Sequence, residues 1–329
     1  MTDVGELAGV SAQTVSRFFT GSGHVSEETR ERVQKAVDQL GYRPNRLARN
    51  LHLPGSDTIG VLTSGVLNYG ASQTLTGLFA AAHEADISLI VAHVAGDEPA
   101  STAGVKQSLE RMLSLRVDGV VVLARGHYVD EVAEILAGEV PHVVVGGRVL
   151  SGVAMAAADS YAAGLLAAQH LLGLGHRQIS FLTGPEDADE SRERERGYLT
   201  ALADAGLAPG PRVVGGDWTS HAGYQAAANT DLHAGCAFVA ANDELALSFM
   251  AAARERGAVA PDDFSIIGID DMPEARYFAP PLTTVRLDFD ALGRGAFAAV
   301  MSMVATGQES QPWVVAPELV PRRSTAPRA

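Results

Sequence analysis

Cysteine is almost absent from this chain: 329 residues contain one, Cys236, set in the apolar run CAFVAA. A lone thiol excludes a disulfide framework, and its apolar surroundings point to a buried structural role. No run of about 18 apolar residues exists to span a membrane, and the opening MTDVGELAG has neither the basic nor the apolar segment of a secretory signal. A cytoplasmic location is expected. Catalytic signatures are missing too: no phosphate-binding glycine loop, no GxSxG elbow, no HExxH and no CxxC pair. The ten histidines are scattered, and His170 and His176 are six apart, which does not make a metal face. The expectation is no enzyme, no metal and no cofactor. The chain also ends PRRSTAPRA, with no apolar heptad repeat.

Positive charge is in deficit, with 25 Lys and Arg against 39 Asp and Glu for a net charge of −14. Taken over the whole chain, that argues against nucleic-acid binding, but charge must be counted by region. Residues 1–55 carry seven basic and six acidic residues, and the remainder carries 18 and 33, so the excess is confined to the body. The rest of the composition, 47% hydrophobic and 19% charged, is ordinary for a globular protein of two or three compact units.

Within the near-neutral first region, VGELAGVSAQTVSRFFT (residues 4–20) reads as two short helices joined at Gly9, with Ser11 capping the second. Leu7, Ala8, Val15 and Phe19 can close a small core. Ala12, Gln13, Ser16 and Arg17 then share an outward face, since residues three or four apart are helix neighbours. That face suits a DNA major groove, where Gln pairs with adenine and Arg with guanine. Alone it is equally any solvated helical hairpin. A third helix is expected from its cap Ser26 to about Leu40, with Val33, Val37 and Leu40 inward and Gly41 as its stop. Pro44 ends it, and the short RLARNL after Asn45 is too short to hold a helix alone.

From Asp57 the pattern becomes β-rich runs (TIGVL, SLIVAHV, GVVVL, HVVVG) alternating with helical ones, and the alternation restarts after Asp159 with QISFLTG, RVVGGD, CAFVAA and FSIIGI. Two doubly wound parallel α/β units follow. One more helix is expected over about Ala291 to Ala305, and a final strand around WVVAPELV.

The headpiece run HVSEETRERVQKAVDQLGYRPNRLARNLHLPG resembles the DNA-binding region of the lactose-repressor family almost position by position, and the resemblance runs to the end of the chain. It implies an all-α helix-turn-helix headpiece (1–44), a hinge helix and linker (45–56), and a two-lobed core like periplasmic sugar-binding proteins (57–329). Lobe 1 would span about 57–157 and 289–316, and lobe 2 about 158–285 and 317–324. It implies a repressor of double-stranded operator DNA, released by a small sugar or glycoside held between the lobes. It also implies an assembly that stops at a homodimer, because the C-terminal leucine heptads that join dimers into tetramers in some family members have no counterpart in PRRSTAPRA. Ser11, Thr14, His24, Asn45, Arg46 and Ala48 join Ala12, Gln13, Ser16 and Arg17 on the DNA. Leu51 matches the hinge leucine that wedges into the minor groove, the alternative being packing on the body.

For the effector, the resemblance implies Arg194 of the R-x-x-G pattern, Trp218 in GDW, Asn242 in AND, Asp270 in GIDD, Phe289, Ser64 in LTSG, and Asn68. Indole faces sugar C–H groups, while amide and carboxylate take hydroxyls. Glu190 and Arg194 have the spacing of a surface ion pair, and Arg192 and Arg196 are expected to face water. Three departures stand out. Gly146 in VVVGGR lacks the carboxylate the lactose repressor carries there, Asn68 and Tyr69 replace an apolar residue and a histidine, and the threonine that caps the family's first helix is missing, so that helix frays or the chain starts upstream. A purine-type corepressor or a sugar receptor remain the competing readings.

Overall fold

The computed structural model describes residues 1–20, 23–42, 55–65, 67–94, 102–123, 129–136, 138–147, 149, 152–232 and 236–328. It divides into two units, Met1–Ser56 and Asp57–Ala329.

In the first unit, α1 (Thr2–Ala8) ends at Gly9 in the left-handed conformation, where glycine is free of the Cβ penalty. At its start, Met1 makes no side-chain capping bond. Helix α2 (Ala12–Thr20) is capped by Ser11, whose hydroxyl accepts from the Thr14 N–H at 3.1 Å. Helix α3 (Glu27–Leu40) is capped by Ser26 and stopped by left-handed Gly41. The core of this unit is Val4, Ala8, Val15, Val33 and Ala36. Two expected members are displaced: Leu7 and Leu40 are each 47% exposed. The buried stripe of α1 runs through Val4 and Ala8, one turn apart, and that of α3 through Val33 and Ala36; Leu7 and Leu40 lie beside those stripes.

The second unit holds two six-stranded sheets. Strand β1 (Thr58–Ser64) leads through α4 (Tyr69–Glu84) to β2 (Ser88–Val94), α5 (Thr102–Ser114), β3 (Gly119–Leu123), α6 (Val129–Leu136), β4 (His142–Gly146) and β5 (Met155–Ala158). The second sheet follows with α7 (Ser160–Gly173), β6 (Ile179–Thr183), α8 (Asp189–Asp204), β7 (Val213–Val214), α9 (Ser220–Ala228), β8 (Cys236–Ala240), α10 (Asp243–Glu255), β9 (Phe264–Asp270) and β10 (Thr283–Arg286). Helix α11 (Phe289–Thr306) returns to the first sheet and is followed by β11 (Trp313–Val315) and β12 (Glu318–Val320). The orders are β11-β5-β4-β3-β1-β2 and β12-β10-β9-β8-β6-β7, parallel except for the β10–β12 pair.

The near-continuous burial of ISFLT and FSIIGID is what a parallel sheet covered on both faces requires. Two expectations change here. The single last strand is two: WVV pairs with β5 in the first sheet and ELV with β10 in the second, so the chain passes between lobes there. Strand β5, MAAA, carries no strand signal in the sequence, since alanine is a poor strand former; its four residues are all buried, and burial decides.

Candidate functional site

Ser64, Gly146, Ala158 and Asp270 are the last residues of β1, β4, β5 and β9. All four line one cavity of about 130 Å³ between the two sheets, at the carboxyl ends of strands, where open α/β sheets place ligands. Asn68, Arg194, Trp218 and Phe289 line it as well, so six of the seven effector residues expected from the sequence come together.

On the first-lobe side, Phe289 opens α11 and meets the Tyr69 ring edge-on at 6.2 Å. It can lie there because Gly70 has no side chain; a Cβ at that position would sit 2.9 Å from the Phe289 ring. Helices α4 and α11 press together through reciprocal glycines. An added Cβ on Gly77 would overlap the Asp290 carbonyl, and one on Gly293 would overlap that of Thr74. The Asn68 oxygen caps α4 by accepting the Ala71 N–H at 3.0 Å, leaving its amide N–H groups as what it can offer a ligand.

The second lobe repeats the device. A Cβ on Gly164 of α7 would overlap the Arg194 carbonyl of α8, and one on Gly197 the Tyr161 carbonyl of α7. The R-x-x-G spacing therefore has a physical basis: the glycine lets α8 seat against α7 and fixes the turn carrying Arg194. That side chain is 5% exposed. Its guanidinium donates to Asp270 Oδ1 at 3.0 Å and to the Ala241 carbonyl, and lies over the Trp218 ring at 5.6 Å. Its Nε is buried without a hydrogen-bond partner. Arginine 194 thus does not form the surface pair with Glu190; burial and a better acceptor in Asp270 draw it inward. Arg192 and Arg196 face solvent, as expected, with 55% and 60% of their side chains exposed.

Asp270 and Asp271 sit at φ of 124° and 54°, conformations that cost a non-glycine residue about 1–3 kcal/mol and persist only when neighbours hold them. Here Arg286 and Arg322 grip the Asp271 carboxylate. Burial pushes the Asp270 carboxyl up to about 6, and the Arg194 guanidinium pulls against that rise. Behind it, Asp243 is buried, accepting from the Thr284 hydroxyl at 2.5 Å and the Met272 N–H at 2.9 Å; desolvation and the neighbouring Asp270 lift it to about 8.

Asn242 does not line the cavity. It is 1% exposed, caps α10 by accepting the Leu245 N–H at 2.9 Å, and donates to the Trp218 carbonyl at 3.3 Å. Its contact with the site runs through Trp218. Of the lining residues that the sequence does not single out for the site, two bring polar groups without a partner among the described residues. Ser160, the first residue of α7, is fully buried with an unpartnered hydroxyl. Glu190, in the first turn of α8, is half-buried at the cavity wall. The position of Ser160 after a capping Asp159 is visible in the sequence; Glu190 sits in a charged run that looks wholly solvated.

In the headpiece, Ser11, Ala12, Gln13, Arg17 and His24 are exposed and Thr14 and Ser16 partly so. Asn45, Arg46, Ala48 and Leu51 lie outside the described residues.

Residues 1–45 match the model of bacterial regulatory proteins of the lacI family, and residues 168–325 match a periplasmic binding protein-like domain. The chain is 34% identical to the HTH-type transcriptional regulator AscG of Escherichia coli (strain K12) over 332 residues, 98% of this chain and 97% of that one. It is 33% identical to the lactose operon repressor of the same strain over 89% of this chain and 81% of that one. It is also 31% identical to the transcriptional repressor PurR of Vibrio campbellii (98% and 97%). Among solved structures, the lac repressor dimer bound to operator and the anti-inducer ONPF superposes with a TM-score of 0.90 at 29% identity over 98% of both chains. Relatives matched end to end are regulators of transcription, not enzymes, and this chain belongs to the lacI family of bacterial DNA-binding transcriptional regulators.

Proposed function

We propose that the protein binds a pseudo-palindromic operator as a homodimer and lets go when a sugar or glycoside closes the cleft between its lobes. The observation that carries this reading is the lining of the cavity. Trp218 and Phe289 supply apolar faces, Asp270 and Asn68 supply hydroxyl partners, and the buried Arg194 keeps an unused Nε–H. An orphaned charged donor beside an aromatic wall is matched by a ligand rich in oxygen. Ser64 adds a hydroxyl at the rim, and Asn242 acts by holding Trp218. A transcriptional regulator solved with cellobiose resembles this chain with a TM-score of 0.69, which supports the sugar class. On the headpiece, Ala12, Gln13 and Arg17 read bases, with Ser11, Thr14, Ser16 and His24 at the backbone. Asn45, Arg46, Ala48 and Leu51 form the hinge, and Leu51 enters the minor groove.

The PurR relatives favour a second reading, a purine-like corepressor that tightens DNA binding instead of loosening it. The two readings separate on the sign of the ligand's effect. A ligand moves the DNA equilibrium only through unequal affinity for the two conformations. In a thermal screen, ligand at a hundred times its dissociation constant adds about 2.7 kcal/mol of stability. Arg194→Ala is then expected to lose about 1.5–3 kcal/mol of sugar affinity and to remain on operator at inducer levels that release the parent. Because it strands the Asp270 carboxylate, the double variant Arg194→Ala, Asp270→Asn serves as control. Normal sugar binding and normal release by both variants would falsify the cleft mechanism.

A further inference from the structure

Beyond the six residues assigned above, the cavity has a polar corner that no part of this reading uses. Glu190 and Ser160 form it, where α8 and α7 begin. Four residues on, Arg194 turns away to Asp270, and no ion pair or hydrogen bond to the Glu190 carboxylate is found among the described residues. The Ser160 hydroxyl is fully buried and without a partner, an arrangement that costs free energy unless something else satisfies it. Facing both is Gly147, from the opposite lobe. A Cβ there would stand 2.8 Å from Glu190 Cγ, 2.9 Å from Glu190 Cα and 3.1 Å from Ser160 Oγ. The missing side chain is therefore what makes room for both groups. Glu190 also lies close enough to Asp270 to oppose its ionisation, so two carboxylates share one cavity.

We propose that Glu190 and Ser160 form a second polar subsite of the cleft, which binds two neighbouring hydroxyls of the effector sugar at the point where Gly147 brings the lobes together. An ionised carboxylate can only accept, so this corner demands O–H donors. The Ser160 hydroxyl, which can donate or accept, completes the pairing with the second sugar oxygen. A ligand bound here touches the second lobe beside its contact with the first. The subsite rests on the reading of the cleft as a sugar site, and its test separates the two.

The full chain is screened by thermal shift with D-glucose, D-galactose, D-ribose, cellobiose and hypoxanthine. The best sugar and its monodeoxy analogues are then titrated calorimetrically against the parent, Glu190→Gln and Ser160→Ala. Glu190→Gln is expected to weaken the sugar about 10- to 100-fold. One monodeoxy analogue, penalised on the parent, should lose little further on this variant, the signature of a direct pair. Ser160→Ala removes no bond within the protein, so its unliganded melting temperature should hold while sugar affinity falls. If both variants bind the sugar within about twofold of the parent, with every deoxy penalty unchanged, the subsite is overturned and the sugar reading stands. Stabilisation by hypoxanthine alone, or by none of the probes, overturns the sugar reading and takes the subsite with it.

Discussion

Asp243 is a carboxyl that the fold has taken out of water, 1% exposed behind the cleft. Its ionisation moves from the ordinary carboxylate range in the unfolded chain to about 8 in the folded one, because burial and the nearby Asp270 penalise the charge. Between those values the folded state holds a proton that the unfolded state has lost. Stability must then fall as pH rises through that window, by up to about 1.4 kcal/mol per pH unit, and level off above pH 8. Asp243→Asn keeps the shape and can still accept the Met272 N–H, but has no charge to bury. Asp270, raised to about 6, makes stability fall in the same direction at lower pH. The expected result is that the parent's urea midpoint keeps declining between pH 6 and 8 while the variant's levels off near pH 6. Parallel declines would show that another group is responsible.

Helix pairing is the next level, and there glycine sets the geometry. The α7–α8 contact depends on Gly164 and Gly197, the α4–α11 contact on Gly77 and Gly293, and each pair holds a cavity residue, Arg194 or Phe289. Gly164→Ala is expected to cost about 1–3 kcal/mol, since backbone cannot yield as a side chain tip can, and, if the cleft takes the proposed sugar, to weaken its binding by shifting Arg194. Gly173→Ala, at the open end of the same helix, meets no atom within 4 Å and should be neutral or slightly stabilising. Chemical denaturation of the two variants checks the contrast; equal effects would remove the packing argument. Elements of this kind were legible in the sequence where pattern and chemistry agreed. Ser11, Ser26, Gly9 and Gly41 delimit the headpiece helices as their types demand, and R-x-x-G located Arg194. The alanines of β5 carried no strand signal, because their burial comes from neighbours distant in sequence. Glu190 was hidden for a related reason: the space it occupies is left by Gly147, from the other lobe, where a Cβ would crowd it.

At the scale of the whole molecule, Met1–Ser56 and Asp57–Ala329 are separate compact units, and each has its own buried core. Deleting residues 1–56 should leave the affinity of the core for the proposed sugar effector within about twofold of the full chain and abolish operator binding. Calorimetry and a mobility-shift assay measure the two; a core that fails to bind the sugar would mean that the headpiece completes the site. No helix among the described residues is long and apolar enough to cross a membrane.

Inside the second unit the chain goes between the sheets at three places, after Ala158, after Arg286 and between Val315 and Glu318. Three short struts side by side resist twisting far more than bending. Opposing lobes built on fused helix pairs can then move chiefly about one axis, as a door moves on its pins. A ligand bound at the carboxyl ends of the strands would lie near those crossings, where a small change in gap would become a larger displacement at the far edges of the lobes. The protein would read its effector as an angle.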